Sequence, residues 1–434
     1  MTKKYDLLIQ NILCVDENGS ELTDIAVHQG LIQERRLGIT TPAEQVIDGT
    51  GLTLMPGIID SQVHFREPGL THKEDLFSGS LSAASGGVTT FLEMPNTKPS
   101  TTTIEALNEK IEIARKNSHV DFGFFIGATI DNLEELKKAH GLPGCCGIKI
   151  FLGSSTGSLL LDDETALLKI FQETTLPISI HSEDENIMQE RIGIRDVATT
   201  AHAHPDWRNV DSALTATKKI VRIARSANRK IHILHLSTGE EALWLQDHRD
   251  ICTLEVTPQH LTLFAPDCYD RLGTLAQMNP PIREERHKKT LWEVLQKRGI
   301  DIVASDHAPH TMAEKELGYP KSPSGMPGVQ TLLPVMLSHV ADKKLSLQDF
   351  VRLTSSEPAR LFKLKGKGQI KVGYDADMII LDFNQPSVVV SSEMKSKVGW
   401  TPFEGLRSPA TLKGTYLRGQ LVPASPGLGR PITS

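Results

Sequence analysis

Gly57-Ile58-Ile59-Asp60-Ser61-Gln62-Val63-His64-Phe65-Arg66 begins as an apolar run and closes in polar side chains able to do chemistry. A run this short and this apolar suits a strand buried on both faces. Seven more follow, at 88–94, 122–126, 148–152, 178–180, 231–236, 253–256 and 302–304. Most intervals are roughly 30 residues, the length of a strand–helix–strand unit. Helical patterns fill them at 103–116, 162–174, 213–227 and 288–297. Eight strands alternating with helices predict an α/β fold, a (β/α)8 TIM-type barrel.

Outside this rhythm the pattern changes. Residues 5–11, 25–28 and 31–35 read as short strands separated by turns such as Glu17-Asn18-Gly19, and strand-like runs return at 369–372, 378–382, 415–417 and 420–422. Neither end suffices to close a sheet alone. The expected organisation is a small composite β-sandwich domain from residues 1–54 plus 366–434, with the barrel, 55–365, inserted between. A length of 434 residues accommodates both.

With 47 Lys+Arg against 53 Asp+Glu, the net charge of −6 gives no electrostatic reason to bind nucleic acid or an anionic membrane. No window approaches the ~18 apolar residues of a membrane helix. Asp6 interrupts the N-terminal run where a secretory signal needs an apolar core. Five cysteines without a C-x-x-C pair read as reduced thiols, which predicts a cytoplasmic protein.

An active site in such a barrel lies at the C-terminal ends of its strands. His64, Lys149, His181, His235 and Asp306 all fall there. Singly, each has a bland reading: a strand-end histidine held by a hydrogen bond, a snorkelling lysine, an aspartate capping a turn. Converging on one barrel mouth, three histidines, a carboxylate and a lysine suit a divalent metal such as Zn²⁺. An ammonium cannot coordinate, so Lys149 fits only if its neutral amine has taken up CO2 to give a carbamate able to bridge two ions.

The motifs Pro56-Gly57-Ile58-Ile59-Asp60 through His64-Phe65-Arg66-Glu67-Pro68-Gly69, Glu93-Met94-Pro95-Asn96-Thr97, Gly147-Ile148-Lys149, His235-Leu236-Ser237-Thr238, Asn279-Pro280-Pro281-Ile282-Arg283 and Ser305-Asp306-His307-Ala308-Pro309-His310 occur in this order. Together they resemble the dihydroorotase family of the amidohydrolase superfamily, essentially end to end. The resemblance implies one or two Zn²⁺ per chain held by His64, Lys149 (carboxylated and bridging), His181, His235 and Asp306. Asp306 would also carry the proton. Arg66, Asn96 and His310 would grip a substrate carboxylate, while Asn279 and the backbone at Pro327 and Gly328 would hold the ring edges. The implied reaction is the reversible closure of N-carbamoyl-L-aspartate to L-dihydroorotate in pyrimidine synthesis.

One departure stands out. The family motif carries a histidine where this chain has Gln62, a poorer zinc ligand than imidazole. Three readings stay open: Gln62 binds weakly, the enzyme runs on one metal, or catalysis is impaired. The alternatives are accordingly another cyclic amide hydrolase, of allantoinase or hydantoinase type, and an impaired dihydroorotase-like subunit supporting a carbamoyltransferase. A small-molecule substrate, a homo-oligomer (dimer or larger) and association with aspartate carbamoyltransferase are the expected partners. Residues 311–324 read either as a closing loop or as a solvated connection. Residues 392–405 are expected to pack the tail onto the barrel without a catalytic role.

Overall fold

The computed structural model describes residues 4–154, 159–422 and 425–433. Eight parallel strands form one sheet: β1 (Ile58–Val63), β2 (Val88–Glu93), β3 (Asp121–Gly127), β4 (Cys145–Phe151), β5 (Ile178–His181), β6 (Ile231–Ile233), β7 (Cys252–Val256) and β8 (Ile302–Val303). Neighbours in space are neighbours in sequence. The ring closes through a parallel bridge between Val63 and His307, where the His64 N–H donates to the His307 carbonyl at 2.7 Å. All eight apolar runs are therefore barrel strands. Most are buried at every position, which is why they read as continuous rather than alternating.

The helices pack apolar stripes onto this ring. In Val210–Ser226, capped by Asn209, the buried residues Ala213, Ala216, Thr217, Ile220, Val221 and Ala224 recur at three- and four-residue spacing. Ile104–Asn117 does the same with Leu107, Ile111 and Ala114 behind a Thr103 cap. Inside the ring, Ile59, Leu92, Phe125 and Ile302 cluster with Phe362. Phe125 on β3 and Ile302 on β8 belong to strands that are not neighbours, so they share a cluster only across the interior. Phe125 meets Phe362 edge-on at 5.7 Å. The barrel is thus a filled core supporting a site at one end.

A second sheet joins the two ends of the chain. Its strands are Tyr5–Asp16, Gly19–His28, Leu31–Arg35, Ala43–Asp48, Thr53–Pro56, Met378–Asp382, Thr411–Leu417 and Gln420–Val422. Tyr5–Asp16 is the branch point. Its first half pairs with Ala43–Asp48 and its second with Thr53–Pro56, and a register shift between Ile9 and Ile12 separates the halves. Leu7, Ile9, Ile25, Val27, Leu54 and Met378 form a separate apolar core there. Among the described residues, no helix is long and apolar enough to cross a membrane. All five cysteines are buried and unpaired.

Candidate active site

At the C-terminal end of the barrel a cavity is lined by Gln62 near the end of β1, His64 and Arg66 after it, Lys149 on β4, His181 at the end of β5, His235 after β6 and Asp306 after β8. Arg66, His235 and Asp306 have φ of 66°, 35° and 43°. Non-glycine residues held in the left-handed region concentrate at functional sites, where surrounding structure enforces the strain.

On one side of the cavity His181 and His235 face each other, with Nδ1 and Nε2 3.0 Å apart. The Nε2 of His181 lies 2.8 Å from Glu183, whose carboxylate is in turn held by the buried Arg208. This fixes the ring so that Nδ1 points inward. On the other side His64 contacts the Asn96 amide oxygen through Nδ1 at 2.7 Å and Asp306 through Nε2 at 3.2 Å. Burial holds His64, His181 and His235 below the usual imidazole range, so they are neutral and carry the lone pairs a metal requires.

Between the two sides stands Lys149. Its Nζ is buried without a hydrogen-bond partner among the described residues. Burial lowers its pKa to about 7 and, by the same cause, raises that of Asp306 to about 7. A buried orphan amine is costly unless something else engages it. This donor set, neutral imidazoles around an amine able to become a carbamate, fits a divalent metal. Gln62 lies beside it, donating from Nε2 to Asp306 at 3.1 Å and leaving its buried Oε1 without a partner. Among the described residues, the acidic cluster close enough to chelate a cation lies elsewhere: Asp121, Asp375 and Asp377, which already enclose the Lys367 ammonium.

Arg66 forms the opposite wall. Its guanidinium is buried, and among the described residues no carboxylate lies within ion-pair distance. Its neighbours are the Pro309 carbonyl at 3.4 Å and His310 Nε2 at 3.3 Å. Asn279 lines the cavity with its amide oxygen 2.9 Å from His204 Nε2. Asn96, expected on substrate, here orients His64. Pro327 and Gly328 border a neighbouring cavity instead, and the Gly328 N–H donates to His307 Nδ1 at 3.1 Å. Ser324 and Gly325 are the residues of that segment that face the site.

Residues 53–422 match the amidohydrolase family. The chain belongs to the amidohydrolase family. Amidohydrolases are generally metal-dependent. The chain is 37% identical to a dihydroorotase of Methanosarcina mazei, over 98% of this chain and 97% of that one. It is 32% identical to an allantoinase of Desulfitobacterium hafniense, over 96% and 95%. Its fold superposes on the L-hydantoinase of Arthrobacter aurescens with a TM-score of 0.95 at 30% identity, covering 99% of this chain and 100% of that one.

The segment after β8 is built into this amidohydrolase's site. Lys315, from the short helix Met312–Lys315, is buried and donates to the carbonyls of Pro323 at 2.8 Å and Gly325 at 3.1 Å. Gly325 itself, at φ 139°, sits so close to Ala308 that a Cβ would lie 2.4 Å from the Ala308 carbonyl oxygen. Lys315→Met leaves buried carbonyls unpaired, at about 1–3 kcal/mol. We expect a lower melting temperature and a several-fold higher KM, read by calorimetry and steady-state kinetics; an unchanged KM would exclude a link to the site. Arg208 escapes a reading by motif, because it acts through Glu183, 25 residues away in sequence. Trp400 ties residues 392–405 to the site's rear, donating from Nε1 to the His310 carbonyl at 2.9 Å.

Proposed function

We propose that this amidohydrolase is a dihydroorotase, opening L-dihydroorotate to N-carbamoyl-L-aspartate and closing it in reverse. The observation that carries this reading is the Arg66 guanidinium, buried beside the cavity with no carboxylate within ion-pair distance among the described residues. A buried unpaired cation costs several kcal/mol unless an anion meets it. A substrate carboxylate supplies that anion, whereas a neutral hydantoin ring does not. The M. mazei relative supports the same substrate.

In this reading His64, His181, His235, Asp306 and a carboxylated Lys149 hold one or two zinc ions. The metal, when bound, supplies a Lewis acid that lowers the pKa of water and polarises the ring amide carbonyl. Arg66 and His310 grip the carboxylate through charge-assisted hydrogen bonds and fix the ring's orientation. Asn279, with the Ser324–Gly325 turn, meets the polar ring edges. Asp306 accepts the proton of the attacking water and returns it to the ring nitrogen as the amide C–N bond breaks. The barrel of residues 55–365 carries this chemistry, with 1–54 and 366–434 as its β companion. The five unpaired thiols support a cytoplasmic location.

The test assays dihydroorotate hydrolysis and counts metals per chain on the same sample. Activity with about one metal per chain makes Gln62 the cause of a one-metal site; activity with two makes it a tolerated neighbour. Metal bound without turnover of dihydroorotate overturns the proposal and directs the search to neutral cyclic amides.

A further inference from the structure

Behind Arg66 and Ser324, which line the cavity, His310 meets Lys73 and Lys73 meets Glu314, contacts that the roles above leave unused. Lys73, in the turn after β1, places Nζ 3.0 Å from His310 Nδ1 and 2.9 Å from the Glu314 carboxylate. Glu314 is itself anchored, because it completes a capping box with Thr311 at the start of Met312–Lys315. On the far edge of the imidazole, Nε2 lies 3.0 Å from the Ser324 carbonyl and 3.3 Å from Arg66 Nη2.

An ammonium has donors only, so Nδ1 must accept from Lys73. Burial, with Arg66 and Lys73 nearby, holds the ring below the usual imidazole range, so it is neutral. A neutral imidazole that accepts at Nδ1 carries its proton on Nε2. That proton donates to Ser324, and the ring edge bearing it meets Arg66 as one donor beside another. Two N–H donors 3.3 Å apart cannot satisfy each other. An anionic acceptor placed between them takes the Arg66 N–H and competes with the Ser324 carbonyl for the single Nε2 proton.

We infer that Lys73 is a positioning and specificity-determining residue, which sets the His310 tautomer and so keeps Nε2 a donor that cannot accept from Arg66, leaving the guanidinium available to a substrate carboxylate. Remove Lys73, and the proton can move to Nδ1. His310 Nε2 then becomes an acceptor for Arg66, and the clamp closes on itself. Lys73 does not touch the substrate in this scheme; it acts through His310. The Lys73–Glu314 pair also joins the turn after β1 to the segment after β8, so the tautomer depends on both being in place. The substrate comes from the dihydroorotase reading, while the tautomer follows from the contacts of His310 with Lys73 and Ser324 and from its burial.

Lys73→Met and Lys73→Arg in the full-length enzyme test it. For Lys73→Met the expected result is a KM for dihydroorotate raised about 10-fold, with kcat within about twofold. Lys73→Arg should restore most of the loss. In ¹⁵N-histidine-labelled protein, with His310 assigned from a His310→Gln control, the unprotonated nitrogen should move from Nδ1 in the wild type to Nε2 in Lys73→Met. An unchanged KM, an unchanged tautomer, or a fall confined to kcat would overturn the inference. If the wild type turns over no dihydroorotate, the functional reading fails, and the nitrogen spectra alone decide whether Lys73 sets the imidazole.

Discussion

Asp306→Asn is expected to lower kcat/KM for dihydroorotate by about 1,000-fold, with the fold intact. Asn is nearly isosteric and tolerates the left-handed backbone at this position, where φ is 43°. Its amide oxygen can still accept from Gln62 Nε2, which lies 3.1 Å from the Asp306 carboxylate. What it cannot do is take a proton. Burial pushes the Asp306 carboxyl up from the usual carboxylate range, toward the region where one group can both accept and return a proton. The sign of the pH effect follows: protonation of Asp306 removes the base, so wild-type kcat/KM declines on the acid side. Asp306→Asn should lose that limb. Metal content must be counted in parallel, because Asp306 is also a proposed ligand. A variant with wild-type metal content and activity within about tenfold of the wild type would remove Asp306 from the proton path.

The barrel was readable because its strands are buried on both faces and its helices on one, so each leaves its own period in the sequence. His64, His181, His235 and Asp306 were readable for a related reason: each closes an apolar run, and the barrel topology brings all such ends to one mouth. Other features depend on pairs that no local pattern announces. Arg208 holds Glu183, which orients His181, yet Arg208 lies 25 residues from Glu183 in sequence. Lys73 and His310 are 237 residues apart. The positive φ at Arg66, His235 and Asp306 has no sequence signal at all, since none is a glycine. The Ser324–Gly328 segment was expected to offer Pro327 and Gly328 to the ring. The turn at Gly325 instead puts Ser324 and Gly325 on the cavity and gives the Gly328 N–H to His307.

Lys367→Met is the change expected to cost the most stability, about 3 kcal/mol. Lys367 joins Asp375 at 2.8 Å and Asp377 at 2.6 Å, and it also pairs with Asp121 at the start of β3. Arg418 approaches Asp121 at 2.7 Å. The cluster thus couples the barrel to the C-terminal arm and to strand Thr411–Leu417, which ends beside Arg418. Burial alone would lower the Lys367 pKa, yet the three carboxylates outweigh it and hold the ammonium well above its usual range. Burial likewise pushes Asp121 up, but Lys367 and Arg418 more than offset this and keep it low. Asp377 stays raised even with Lys367 present. Methionine keeps much of the side chain's bulk and removes the charge, so the buried Asp377 and Asp121 lose a counter-ion. The Asp377 value then rises further, and the Asp121 value rises from its lowered position with Arg418 left beside it. A carboxylate whose folded pKa is raised destabilises above that pKa and stops doing so once it is protonated in both states. The gap in melting temperature between wild type and Lys367→Met should therefore be largest near pH 8 and narrow as pH falls toward about 4, the unfolded carboxylate value. A gap that is constant with pH would mean that lost packing, and not stranded charge, is what the substitution costs.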